Sequence, residues 1–290
     1  MYYDALKTFV AVADQQNFTK AAEALRISQP SVSLHIKNLE EEFQTELFVR
    51  TPRNLTITPT GEILYERAKQ ILAMYEQTRQ AILEHHQAVK GAIKIGASFT
   101  VGEYIVPSLF VRMRDHFPDL DPDLEIGNTT EIVQAVKQLD IDIGLIEGQS
   151  NDPELLIEPF MEDELFVVGP ADHPLTQKQC VTISDLHHET WIAREEGSGT
   201  RKYLEHVIRS NGLQVTSTIT ISSNQGVKES VIRGLGLSLL SGSVVERNVR
   251  HNDLAIIPVK DHAFKRRFSY VCSPIMARKK NVEAFMGMLQ

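Results

Sequence analysis

Two groups of residues have the types and spacing for chemistry. The first lies in Ser28-Gln29-Pro30-Ser31-Val32-Ser33-Leu34-His35-Ile36-Lys37. If Val32, Ile36 and Leu39 face inward, the opposite flank of this helix presents Gln29, Ser33, Leu34, His35 and Lys37, with Pro30 in its first turn. Short hydrogen-bonding groups near a helix N-terminus followed by basic groups suit base edges and phosphates in a major groove. An ordinary helical hairpin with a polar outer face gives the same pattern. The second group is three hydroxyl-rich segments: Ser98-Phe99-Thr100, Asn128-Thr129-Thr130 and Gly197-Ser198-Gly199-Thr200. Each follows a strand pattern or opens a helix pattern, so hydroxyls stand beside free backbone N–H groups that can receive an anion. Simple helix capping accounts for any one of them. Three at equivalent places favour a small anionic or carboxylate ligand, held by Ser98, Thr100, Asn128, Thr129, Ser198, Gly199 and Thr200. Arg194 and Arg201 could add charge, a surface role being equally open, and Ser222-Ser223-Asn224-Gln225 could line the same cleft.

Catalysis fits poorly. Gly197-Ser198-Gly199 is not a Gly-x-Ser-x-Gly elbow, and no phosphate-binding or dinucleotide fingerprint occurs. The pairs His85-His86 and His187-His188 are adjacent, so they do not chelate as an i, i+4 pair would. No cofactor and no metal is expected. Cys180 and Cys272 match no metal spacing and are expected as free, buried thiols.

The elements that position these groups can be read in order. Asp4–Gln15 is a first helix with Leu6, Phe9, Val10 and Ala13 inward. Phe18, Ala21, Ala22 and Leu25 give a second helix, and Val32, Ile36, Leu39 and Phe43 a third, together a helix-turn-helix pattern. Leu47–Arg50 and Leu55–Ile57 read as two short strands around the turn Thr51-Pro52-Arg53-Asn54, a wing whose Arg53 faces phosphate, minor groove or solvent. Thr58 caps a helix running to about Val89, a rod about 45 Å long at 1.5 Å per residue. Leu64, Ala68, Ile71, Tyr75, Thr78 and Ile82 repeat along it at alternating spacings of four and three, which predicts a coiled-coil seam and a dimer. A lone amphipathic helix lying on the C-terminal domain is the alternative. Beyond a hinge at Gly91, strand and helix patterns alternate, implying parallel sheets flanked by helices. The expected strands are 92–97, 124–127, 141–146, 164–169, 191–193, 218–221, 237–240 and 268–272; the expected helices are 101–117, 131–139, 201–211, 226–233 and 282–289.

The chain has 290 residues and a formal net charge of −8, which opposes indiscriminate nucleic-acid binding and leaves placement of Lys37, Arg50 and Arg53 decisive. No apolar run is long enough for a bilayer, and Met1-Tyr2-Tyr3-Asp4 does not open a signal peptide, so a cytoplasmic location without membrane contact is expected.

Phe18-Thr19-Lys20-Ala21-Ala22, Ser28-Gln29-Pro30-Ser31-Val32-Ser33, Leu47-Phe48-Val49-Arg50 and Thr56-Ile57-Thr58-Pro59-Thr60-Gly61 together resemble the signature of LysR-type transcriptional regulators. Ser-Val-Ser-Leu-His-Ile-Lys-Asn-Leu-Glu and Ser-Ser-Asn-Gln-Gly-Val-Lys-Glu-Ser-Val resemble the family branch that governs sulfur assimilation in Gram-positive bacteria. The resemblance implies an α/β protein overall: a winged helix-turn-helix (1–58), a linker and dimerisation helix (59–90), and an effector-binding domain (91–290) like periplasmic binding proteins. That domain would comprise one subdomain of 91–165 plus 268–290 and another of 166–267. It implies double-stranded DNA, met by Gln29, Pro30, Ser33, Leu34, His35, Lys37, Arg50 and Arg53, a small anionic metabolite, a homodimer or homotetramer, and RNA polymerase as partners of a transcription regulator, activator or repressor both staying open. Many members carry Arg where this chain has Leu34, which fits a thymine methyl instead. The competing expectation is a solute-binding or enzymatic α/β protein whose N-terminal helices only dimerise.

Overall fold

The computed structural model describes residues 2–50, 55–83, 89–148, 150 and 152–289. The chain divides into two units, Met1–Gln87 and Ala88–Gln290.

In the first unit, α1 (Tyr2–Gln15), α2 (Phe18–Leu25) and α3 (Gln29–Phe43) are followed by β1 (Phe48–Arg50), β2 (Leu55–Ile57) and α4 (Pro59–Leu83). The helix ends are written locally. The Asn17 side chain accepts from the N–H groups of Thr19 and Lys20 at 2.8 and 3.0 Å. Arg26 turns left-handed and stops α2, and Ser28 Oγ accepts from Ser31 N at 3.2 Å to start α3. Phe9, Val12, Ala21, Val32 and Ile36 are fully buried in one core, with Phe48 from β1 packed 5.3 Å from Phe9, ring to ring. β1 and β2 pair antiparallel, Phe48 opposite Ile57. The wing tip, with Arg53, and the pair His85-His86 lie outside the described residues.

The seam expected along α4 is only partly free. Ala68 is buried and Leu64 packs against the same helix-turn-helix core. Tyr75 lies with its ring 4.3 Å from that of Tyr3, whose hydroxyl donates to Glu76 at 2.7 Å. The exposed apolar face is instead Ile63, Ile71 and Met74, with Tyr75 beside it. The side chain of Ile82 lies outside the described residues.

The second unit opens with β3 (Gly91–Ser98), so Gly91 begins a strand and donates its N–H to Asp119 O at 2.9 Å. There follow α5 (Phe99–Tyr104), α6 (Val106–His116), β4 (Leu120–Gly127), α7 (Thr129–Gln138), β5 (Ile143–Glu147) and the 15-residue β6 (Leu156–Pro170). Next come β7 (Thr190–Ala193), α8 (Gly199–Ser210), β8 (Ser217–Thr220), α9 (Asn224–Ile232) and β9 (Ser238–Ser241). α10 (Gly242–Arg250), β10 (Leu254–Ile256), β11 (Phe264–Cys272) and α11 (Lys280–Leu289) complete it. The helix expected over 101–117 is broken at Ile105, because Pro107 has no N–H to continue the ladder and its ring crowds the preceding turn.

The sheet is mixed, not two separate parallel sheets. Seven strands run in the order β10-β6-β11-β5-β3-β4, with β9 also paired to β6. β3 is parallel to β4 and β5, while β11 runs antiparallel to both β5 and β6. The two long strands cross together. One end of β6 lies beside the part of β11 that pairs with β5, and its other end beside β9 and β10. The register shift between Phe268 and Ser269 bends the pair midway. A first lobe thus gathers β3, β4 and β5, and a second lobe β9, β10 and the parallel pair β7-β8. Separate cores fill them, Ile132, Val136, Ile141, Ile146 and Val271 in one, and a larger set around Trp191 and Leu237 in the other.

Candidate functional site

On α3, Gln29, Pro30, Leu34 and Lys37 are exposed, Leu34 to 56 % of its surface, and Ser33 is half-buried. Gln29 Nε2 donates to Ser33 Oγ at 3.0 Å, one turn on. That bond leaves the Gln29 carbonyl and the Ser33 hydroxyl proton for other partners. Lys37 pairs with Glu41 at 3.3 Å on the open surface, a contact weak enough to exchange for a phosphate. His35 departs from the expected outer face. Thr8 Oγ1 donates to Asp4 O at 2.7 Å, so its 2.8 Å contact with His35 Nδ1 makes the imidazole the donor. His35 therefore ties α3 to α1. The side chain of Arg50 and all of Arg53 lie outside the described residues.

In the second unit, the three hydroxyl-rich segments meet around a residue that the sequence reading left out. Glu147 ends β5 and is buried. Its Oε1 accepts from Thr100 N at 3.0 Å, and its Oε2 accepts from Thr200 Oγ1 at 2.7 Å and Arg266 Nη1 at 2.9 Å. Arg266 Nη1 also donates to Thr200 Oγ1 at 3.0 Å, and its Nε to Asp163 Oδ2 at 2.7 Å. Ser241 Oγ donates to Asp163 Oδ1 at 2.6 Å. Burial pushes the Glu147 carboxyl up, but the Arg266 guanidinium and the Thr100 and Thr200 donors outweigh it and hold it at about 2.

The other expected residues surround this carboxylate. Gly199 presses on it: a Cβ there would stand 2.7 Å from Glu147 Cβ and 3.0 Å from Thr129 Oγ1. Gly197, at φ +90°, brings its backbone against Asn128, and its carbonyl accepts from Thr130 N at 3.3 Å. Asn128 forms a reciprocal cap with Glu131, at 3.0 and 2.8 Å, and Ser198 Oγ caps Arg201 N at 3.4 Å. Ser98 Oγ, Thr129 Oγ1, Ser269 Oγ and Arg266 Nη2 are buried without a hydrogen-bond partner. Such groups cost free energy unless a ligand or water satisfies them.

The two arginines suggested as charge for an anion are already engaged. Arg194 is buried, bidentate to Glu195 at 2.8 and 2.9 Å, and donates to Asn224 Oδ1 at 2.6 Å. Its guanidinium also stands over the Phe99 ring at 4.5 Å. Arg201 donates to Glu205 at 2.7 Å and to Arg194 O at 3.1 Å. Asn224 donates on to Glu103 at 3.1 Å, a second polar tie between the lobes. Cys272 is buried as expected, but Cys180 is exposed. Among the described residues no His, Cys, Asp or Glu group could hold a metal, and no helix is long and apolar enough to cross a membrane.

The arrangement is thus a helix-turn-helix with an exposed polar flank, followed by a two-lobed α/β unit. Residues 3–62 match the bacterial regulatory helix-turn-helix protein, lysR family, and residues 86–290 match the LysR substrate binding domain. The chain belongs to the LysR family of transcriptional regulators. LysR regulators bind DNA and small-molecule effectors, are often oligomeric, and are not enzymes, which removes the solute-binding and enzymatic alternative. The chain is 56 % identical over 290 residues to the HTH-type transcriptional regulator CysL of Bacillus subtilis (strain 168), covering 100 % of this chain and 97 % of that protein. It is 34 % identical over 254 residues to the HTH-type transcriptional regulator YeiE of Escherichia coli (strain K12), covering 88 % and 85 %. A full-length OxyR variant from Pseudomonas aeruginosa shares the fold, with a TM-score of 0.81 at 24 % identity, covering 100 % of this chain and 94 % of that one. The regulatory domain of Synechocystis PCC6803 CcmR in complex with 2-PG has a TM-score of 0.64 at 24 % identity, covering 69 % and 96 %.

Proposed function

We propose that this LysR regulator reads operator DNA with Gln29, Pro30, Ser33 and Leu34, grips phosphate with Lys37, Arg50 and Arg53, and answers to a small anionic metabolite of sulfur metabolism. The effector site is the cleft of Ser98, Thr100, Asn128, Thr129, Ser198, Gly199 and Thr200. The observation that carries it is convergence: segments far apart in sequence, from both lobes, meet around one buried point, with the Ser98 and Thr129 hydroxyls and Arg266 Nη2 left unpaired. The sulfur pathway is supported by the resemblance to the sulfur-assimilation branch and by 56 % identity to CysL along the whole chain.

Assembly as a homodimer, or as a homotetramer of two such dimers, is supported by Ile63, Ile71 and Met74 standing exposed along α4, and a two-fold dimer suits a DNA reader with two half-sites. Activation through RNA polymerase, and a cytoplasmic site of action, belong to the same proposal. The test is gel retardation of promoter fragments with and without sulfur-pathway metabolites, using the wild type and a Ser98→Ala, Thr129→Val variant. Sequence-selective retardation that one metabolite changes, and that the variant no longer changes, is the expected result. An undiminished response of the variant places the effector elsewhere.

A further inference from the structure

The donors that would receive an anion in this cleft already hold one. Thr100 N, Thr200 Oγ1 and Arg266 Nη1 all converge on the two oxygens of Glu147, at 3.0, 2.7 and 2.9 Å. We propose that Glu147 is a resident anion, which a small oxyanion or carboxylate effector displaces from these donors, so that effector binding is an exchange of one anion for another. The inference rests on the cleft being the effector site.

Charge favours exchange over simple addition of a second anion. Arg266 and Asp163 face each other at 2.7 Å, both side chains 4 % exposed, and Ser241 fixes Asp163 at 2.6 Å. This pair balances itself in charge. Glu147 therefore supplies the surplus negative charge of the cluster, and a second anion beside it would meet uncompensated repulsion at low dielectric. With Glu147 withdrawn, the site offers an N–H, a hydroxyl and a guanidinium edge, with Arg266 Nη2 and Ser98 Oγ still unpaired and buried. The position also links the lobes, because Glu147 and Thr100 belong to the first and Thr200 to the second. Releasing Glu147 thus changes a contact between lobes as well as the occupant of a site. The Arg194–Asn224–Glu103 tie is separate and remains when Glu147 is altered.

The test compares full-length wild type, Glu147→Ala and Glu147→Gln in thermal melts with sodium formate or sodium chloride at equal ionic strength. Glu147→Ala opens a carboxylate-sized space in front of the donors. It should melt lower in chloride and be restored selectively by formate, at a half-effect concentration roughly tenfold or more below any effect on the wild type, whose tethered carboxylate competes at an effective concentration in the millimolar range or above. Glu147→Gln fills the space but turns an amide NH2 toward donors in either orientation, so it should melt lower without formate rescue. The proposal is overturned if Glu147→Ala gains nothing from formate over chloride, if wild type gains as much, or if Glu147→Gln melts like wild type. The last comparison decides the matter if Glu147→Ala does not fold. Neither readout uses DNA or a metabolite. Formate rescue with no metabolite response in the promoter assay would keep the resident anion and remove the effector assignment.

Discussion

Arg266→Met isolates the electrostatic core of the cleft. Methionine keeps an apolar stem beside the Phe268 ring, over which the guanidinium stands at 5.3 Å, but removes the cation. Glu147 and Asp163, with side chains 2 % and 4 % exposed, are left without their shared partner. Removing one member of a buried ion pair costs about 3–5 kcal/mol. For a domain of this size each kcal/mol shifts the melting temperature by about 2–4 °C, so the variant should melt roughly 6–20 °C lower near neutral pH. The pH dependence has a definite sign. In the wild type Glu147 is held at about 2, below an ordinary carboxyl. Its contribution, on the order of 3 kcal/mol, is present above the unfolded value near 4.5 and is lost as pH falls from there through about 2. In the variant, burial is opposed only by the Thr100 and Thr200 donors, so the Glu147 carboxyl moves up from about 2. The advantage of the wild type that comes from Glu147 is then lost as pH falls through the variant's higher value. Calorimetry or circular dichroism from pH 8 to pH 4 should therefore show the gap between wild type and variant narrowing as pH falls. A variant that melts within about 2 °C of wild type, or a gap that widens toward acid, refutes the argument.

Gln29→Ala should relax preference at one base position per half-site, costing about 1–3 kcal/mol for the preferred base. Because Gln29 Nε2 bonds Ser33 Oγ at 3.0 Å, Ser33→Ala should act on the same position and the two effects should not add; additive losses across all operator variants would count against this pair as readers. Glu at both Ile71 and Met74, each 51 % exposed, should lower the mass seen by light scattering and weaken operator binding while leaving melting intact. An unchanged mass would show that this face of α4 is not the dimer seam. Burial and the Asp142 carboxylate push the Cys272 thiol up to about 12, whereas Cys180 is exposed. Iodoacetamide at pH 8 should add one adduct to the folded chain, at Cys180, and alkylation of Cys272 would contradict its burial.

The helix-turn-helix was legible because its signals are local: a helical period at Val32, Ile36 and Leu39, a cap at Ser28 and a proline in the first turn. The alternating elements of the second unit were legible for the same reason. What the sequence hid depends on partners distant along the chain. The spacing along α4 marks apolar positions but not which of them meet the chain's own core, so Leu64 and Ala68 were assigned to a seam although they pack inside, while Ile63, Ile71 and Met74 stand exposed. An isolated cysteine carries no period, and Cys180 was expected inside. His35 looked like a groove-facing base because its partner, Thr8, is on another helix. In the cleft, the hydroxyl segments were visible and their shared carboxylate was not, since Glu147 reads as the polar end of an apolar strand. A sharper signal was available. In Phe264-Lys265-Arg266-Arg267-Phe268, alternation places Arg266 on the buried side with the two phenylalanines, and an inward charge requires a partner.

The most direct test of the account is footprinting on the promoter DNA this regulator occupies, across a salt series, with and without sulfur-pathway anions. The account predicts protection of two half-sites, salt-sensitive in strength, whose extent one anionic metabolite alters in the wild type and leaves unaltered in Ser98→Ala, Thr129→Val. Protection that no such anion alters in the wild type, or no sequence-selective protection at any salt concentration, would contradict it.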